Sequence, residues 1–246
     1  MVIQNNVNKG GAIENIVAGF NYLNPRNEDV CMIIDGDDWL LKNNALEKVV
    51  NIYKSQDVNV TYGHYETYPE GKKNLAIELP KWVKDLNLYR CVYPFFLTHL
   101  KTFKGEVWNK LNIKWLKDNN DQFFKSATDV ALMLSLVELA KGKVMCVEDA
   151  LYCYNRSRNE HVDLLRPKDQ MQSMKEIRSK STACEQQLSE DQRWDMLTSD
   201  QFQELLDIEV EVMKSIDEVG NSFIKDSFDY KKHSEIFKRK IARVKN

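Results

Sequence analysis

The stretch Val30-Cys31-Met32-Ile33-Ile34-Asp35-Gly36-Asp37-Asp38-Trp39-Leu40 constrains this chain more than any other. Its run of consecutive apolar residues, rich in β-branched side chains, predicts a strand buried on both faces, as in a parallel sheet. That strand runs directly into three carboxylates around one glycine, and then into a Trp-Leu-Leu anchor. In open α/β sheets, ligands bind just past the carboxyl ends of the strands. Asp35 and Asp37, separated by a single residue at such an edge, can share a divalent cation, because hard ions take oxygen ligands. Gly36 keeps the turn free of side-chain bulk and open to unusual dihedrals. Asp and Gly also favour plain surface turns, so the local pattern alone leaves both readings open.

Alternating elements surround this stretch. Residues 1–4 read as a short strand, followed by the polar turn 5–11. A helix suits residues 12–22, with Ile13, Ile16, Val17 and Phe20 on one face. Asn24-Pro25 breaks it. A second helix over 43–55 carries Leu46, Val49, Val50 and Tyr53, and residues 57–67 return to strand character. This order predicts βαβ units and a parallel sheet. Further on, a short helix starts near Pro80, residues 98–104 read as a loop or edge, and 107–111 as one or two helical turns. Residues 130–140 form an almost wholly apolar, hence buried, helix. Thr128 can cap it and Gly142 can close it. Asp129 in its first turn is favoured by the helix dipole. Residues 143–147 and 150–154 read as two further strands. From Pro167 the pattern turns helical: Ser189 with Gln192 can form a capping box, and Phe202, Leu205, Leu206, Ile208, Val212, Met213, Ile216 and Val219 make a long apolar face.

Composition narrows the partners. Lys and Arg number 35 against 37 Asp and Glu, so no global charge points to nucleic acid. The last stretch, 231–246, is different: Lys231, Lys232, Lys238, Arg239, Lys240, Arg243 and Lys245 face only Glu235. With Phe237, Ile241 and Val244 on one side, such a helix suits peripheral contact with an anionic membrane. A solvated tail explains the same residues. Cys31, Cys91, Cys146, Cys153 and Cys184 show no C-x-x-C spacing, which disfavours a zinc site. They fit reduced thiols in a cytoplasmic protein.

Asn8-Lys9-Gly10-Gly11-Ala12 with Asn15, followed by Asp35-Gly36-Asp37-Asp38-Trp39, resembles the family 2 glycosyltransferases of the GT-A fold. Three later blocks follow in the order of one subgroup of that family. They are His99-Leu100-Lys101-Thr102-Phe103, Thr128-Asp129-Val130-Ala131-Leu132-Met133 and Leu151-Tyr152-Cys153-Tyr154-Asn155-Arg156. The resemblance covers roughly residues 3–160. It implies an α/β, GT-A-like (Rossmann-like), mostly parallel sheet flanked by helices, with a C-terminal helical extension. It places a glycosyltransferase domain at 1–165, with a donor and metal part at 1–68 and an acceptor part at 69–165. The helical extension with its basic end takes 166–246.

The resemblance also implies a function. The D-x-D carboxylates Asp35 and Asp37 bind Mn²⁺ or Mg²⁺, with Asp37 the direct ligand and Asp35 nearer the ribose. The ion holds the diphosphate of a nucleotide-sugar, a UDP-sugar by first expectation. Lys9 approaches the phosphates, although a turn lysine in water reads equally well. Asp129 falls on the family's catalytic base and His99 on the acceptor side, though a lone His is more often structural. The reaction expected is transfer to a hydroxyl of a glycan, lipid-linked or protein acceptor, with inversion at the sugar carbon, as in polysaccharide biosynthesis. Trp39 is expected in the core behind the metal loop. Trp82, Tyr93, Phe95, Phe96 and Trp108 offer either core packing or a sugar-stacking surface. The family's first nucleotide-binding strands would precede Met1, so the chain is expected to be N-terminally truncated. A non-catalytic binding or assembly module is therefore the alternative reading. A haloacid-dehalogenase-like phosphatase would need Thr or Val where Asp38 stands.

Overall fold

The computed structural model describes residues 11–157, 167–181, 183 and 188–218. The strand expected at 1–4, Lys9, and the basic end 231–246 lie outside the described residues. So do Cys184 and Val219.

Helix α1 (Ala12–Leu23) forms as its periodicity requires, with Ile13, Val17 and Phe20 buried. Strand β1 (Val30–Ile33) follows, then the short β2 (Trp39–Leu40) and helix α2 (Ala45–Ser55). Helix α2 buries a narrower face than its sequence suggests. Ala45 and Val49 lie inside, whereas Leu46 and Val50 are exposed. The stripe Ala45, Val49, Tyr53 steps by four residues and covers a small second core with Leu100, Leu151 and Tyr152. Strand β3 (Val60–Tyr68) precedes the short helix α3 (Lys81–Asp85), β4 (Lys101–Lys104) and α4 (Gly105–Asn109). Helix α5 (Thr128–Leu139) and β5 (Val144–Asn155) complete the sheet layer. Helices α6 (Pro167–Ser179), α7 (Glu190–Asp195) and α8 (Ser199–Glu218) follow, α7 with the expected Ser189–Gln192 capping box.

The fold is α/β, but the sheet is mixed rather than mostly parallel. Its order is β1-β4-β3-β5-β2. Only β3 and β5 run parallel; the β1–β4, β3–β4 and β2–β5 pairs are antiparallel. The expectation failed because β4 is neither a loop nor an edge. It inserts between β1 and β3, with Thr102 and Phe103 fully buried. In turn β1 lies at the end of the described sheet, with Cys31 buried but Val30 partly exposed. The two strands read at 143–147 and 150–154 are one strand, β5. Its exposed Glu148-Asp149 step lies opposite a register irregularity between Gly63 and Tyr65. Gly63 is required there, since a Cβ would lie 2.7 Å from the carbonyl oxygen of Val147.

Helix α5 is the centre of the packing. It touches α1, α4, α6 and the 3-10 turns at Tyr89–Cys91 and Ile113–Leu116. Val130, Leu132, Met133, Leu134, Leu136 and Val137 are each at most 2% exposed. Burying each such side chain contributes roughly 1.5–3 kcal/mol. The C-terminal helices share this core through Ile177, Trp194, Phe202, Leu205, Ile208 and Val212.

Buried charges join the layers. Glu138, in the last turn of α5, accepts from Arg90 Nε at 2.6 Å and Nη2 at 2.9 Å, and from the Ala183 N–H at 2.7 Å. Arg178 stacks on Tyr93, 3.7 Å from the ring centroid, and donates to the carbonyls of Arg90 and Val92. Glu209, on the buried side of α8, is pushed up to about 7 by desolvation, against the pull of Arg178. Among the described residues no helix is long and apolar enough to cross a membrane.

Candidate functional site

The loop after β1 is pinned to β5. Tyr152 Oη donates to Asp38 Oδ2 at 2.6 Å and accepts from the Asp35 N–H at 3.1 Å. The Asn155 N–H donates to Asp38 Oδ1 at 2.8 Å, and Asn155 Nδ2 donates to the Asp37 carbonyl at 3.1 Å. Both oxygens of Asp38 are thus engaged in holding the loop. The Asp35 carboxylate, by contrast, stays about half exposed. Gly36 has no positive φ, and a Cβ there would meet nothing within 4 Å. Its expected conformational role is therefore not required; the space above the loop is open.

Residues 99–101, at the entry to β4, bring two side chains to this loop. The His99 ring stacks on Tyr152 with centroids 4.2 Å apart, and its Nε2 lies 3.5 Å from Asp35 Oδ2. Burial holds the His99 pKa well below its usual value, and the positive charge of Lys101 acts in the same direction. Both effects favour the neutral imidazole, and its buried Nδ1 has no hydrogen-bond partner among the described residues. Two residues on, the Lys101 side chain is 5% exposed and its Nζ lies 3.9 Å from Asp129 Oδ2.

Asp129 reaches the same place from the start of α5. The chain enters that helix through Ala127 in the left-handed region, at φ 52°, with no side-chain cap. Thr128 is consequently the first helical residue and not the cap expected from sequence. Asp129 Oδ1 instead accepts from the Val130 N–H at 2.9 Å, taking up one of the unpaired donors of the first turn.

These groups act on one another electrostatically. The Asp35 pKa is raised, first by desolvation and further by Asp38, Asp129 and Asp37, while Lys101 opposes the rise. Four carboxylates and one buried ammonium therefore share a single patch at the carboxyl end of β1. Asp35 and Asp37 offer hard oxygen donors on one short loop. Among the described residues, no three potential ligands converge closely enough to hold an ion by themselves. That donor set fits Mg²⁺ or Mn²⁺ held by one or two carboxylates with the remaining positions left to phosphate and water, and does not fit an all-protein cage.

The structure thus brings Asp35, His99 and Asp129 together, with Asp37 on the same loop. Sequence reasoning gave no role to Lys101 or to the pinning of the loop by Asp38 and Asn155. A signal for Lys101 was present, since period-two alternation puts it on the same face of β4 as the core residue Phe103. One other expectation is corrected, and of the two readings of the aromatics core packing holds. Trp39 is not behind the loop: it is 40% exposed and meets Tyr68 edge-on at 5.3 Å. Its neighbour Leu40 packs on the inner face in its place. Tyr93, Phe96 and Trp108 belong to the core, and Trp82 and Phe95 pack against it, so none of these five forms an open sugar-stacking surface. In comparisons with known proteins, no protein-family model and no curated protein matches the chain.

Proposed function

We propose that the chain is a metal-dependent, inverting glycosyltransferase of GT-A-like architecture. It moves a sugar from a nucleotide-sugar, a UDP-sugar first, to a hydroxyl of a glycan, lipid-linked or protein acceptor. One observation carries this reading. A D-x-D loop at the end of β1 and a carboxylate opening the buried helix α5, far apart in sequence, face one patch with a buried lysine between them.

Asp37 and Asp35 would hold the Mn²⁺ or Mg²⁺ through carboxylate oxygens. When bound, such an ion neutralises the diphosphate and stabilises the charge on the departing nucleoside diphosphate. The open space at Gly36 lets a phosphate approach the loop backbone. The pins from Tyr152 and Asn155 keep the carboxylates in place without rearrangement, and preorganised groups stabilise developing charge most effectively. Asp129 takes the proton of the attacking hydroxyl as general base. The hydroxyl oxygen bonds to the anomeric carbon as the bond from that carbon to the phosphate oxygen breaks, which inverts the centre.

Incubation with a panel of UDP-sugars, Mn²⁺ and hydroxyl acceptors is expected to release UDP. Asp37→Ala or excess chelator should return that release to background. Release that proceeds equally in chelator contradicts the assignment of the loop.

A further inference from the structure

We propose that Tyr152 is a positioning residue for the loop after β1, and that Asp38 is the anchor of that loop and not a ligand of the ion. The inference rests on the metal reading of the loop given above and deepens it. Tyr152 is fully buried, stacked on His99 and packed in the small second core with Leu40. A backbone N–H can only donate, so Oη accepts from the Asp35 N–H at 3.1 Å and gives its one proton to Asp38 Oδ2 at 2.6 Å. The other oxygen of Asp38 accepts from the Asn155 N–H at 2.8 Å. The Asn155 side chain in turn donates to the Asp37 carbonyl at 3.1 Å.

These bonds divide the three carboxylates by task. Asp35 and Asp37 are tied to β5 through their backbone atoms, so the ties fix the loop without using either side chain's oxygens. Asp38 is tied through both oxygens of its side chain. To turn toward an ion it would have to release two donors, one of them a buried hydroxyl, and a buried polar group left without a partner is costly. Ligation therefore falls to Asp35 and Asp37, and support to Asp38 and Tyr152. Groups that hold a ligand set in place tune its affinity without touching the metal.

The test is a Mn²⁺ titration of the full chain at fixed UDP, read by water-proton relaxation, which responds to an ion held on a slowly tumbling protein. Tyr152→Phe keeps the ring and its stacking and removes only the hydroxyl; it is expected to weaken Mn²⁺ binding by roughly tenfold or more. Asp38→Asn can still accept from the Asn155 N–H and can donate to Tyr152 Oη, so its Mn²⁺ affinity should stay within a few-fold of wild type. Asp37→Asn removes a ligand and should lose more than either. A Tyr152→Phe protein that melts lower yet binds Mn²⁺ as wild type does overturns the positioning role. A loss in Asp38→Asn equal to that in Asp37→Asn overturns the anchor, and this comparison stands whether or not Tyr152→Phe folds. A wild type that shows the expected pattern of Mn²⁺ binding but transfers no sugar rejects the glycosyltransferase reading and leaves the anchor in place. A wild type that binds no Mn²⁺ overturns the proposal together with the metal reading of the loop.

Discussion

Asp129→Asn is expected to lower sugar transfer by roughly two to four orders of magnitude, with donor affinity nearly unchanged. The asparagine keeps the shape of the side chain and can still accept from the Val130 N–H, which Asp129 Oδ1 does at 2.9 Å. What it loses is the capacity to take a proton from the acceptor hydroxyl. It also loses a first-turn charge, worth about 0.3–1 kcal/mol, and the negative partner 3.9 Å from the buried Lys101 ammonium, so the melting temperature should fall as well. Kinetics and thermal denaturation on the same variant separate the two roles. If transfer stays within a few-fold of wild type while stability drops, Asp129 merely supports the start of α5.

The largest effect on stability is expected at the other end of α5. Glu138 is 1% exposed and pairs with Arg90 through two hydrogen bonds, while Arg90 Nη1 donates to the Ile177 carbonyl. Glu138→Ala leaves a guanidinium buried without its counter-charge and the Ala183 N–H without its acceptor. Breaking a buried pair in this way costs about 3–5 kcal/mol, or a fall of roughly 10 °C in melting temperature for a chain of this size. The double change Arg90→Met with Glu138→Leu should recover much of that loss, because apolar replacements of buried pairs are often nearly neutral. A single variant that melts within a degree of wild type would show that the pair contributes little to joining α6 to the core.

Helix α1 was legible in the sequence because its apolar spacing matches the helical period, and α5 because its apolar residues run almost unbroken, so that burial all round followed directly. Strand positions were legible too, but not their directions. The direction of a strand is set by the path the chain takes between strands, and local alternation does not encode that path. Residues Lys101 to Lys104 read as loop or edge because lysines bracket them, whereas the first of those lysines points inward to Asp129. Arg90, Arg178 and Arg193 drew no reading from the sequence, and all three are buried. A charge whose partner lies far along the chain looks like a surface charge when only its neighbours are visible. The acidic loop and Asp129 stood out in the sequence, because three carboxylates after an apolar run and one carboxylate opening an apolar helix are locally conspicuous. The pinning by Tyr152 and Asn155 was not, since it depends on the pairing of β2 with β5.

The central claim is that the loop after β1 holds a nucleoside diphosphate through a divalent cation. Thermal denaturation with UDP, with and without Mn²⁺, tests it most directly, on wild type and on Asp37→Ala. A ligand at about 100 times its dissociation constant stabilises the native state by about 2.7 kcal/mol. Wild type should therefore melt about 5–10 °C higher with UDP and Mn²⁺ together, and unchanged with UDP in chelator. Asp37→Ala should show no shift in either. An equal rise in chelator, or a rise that survives Asp37→Ala, would contradict the claim.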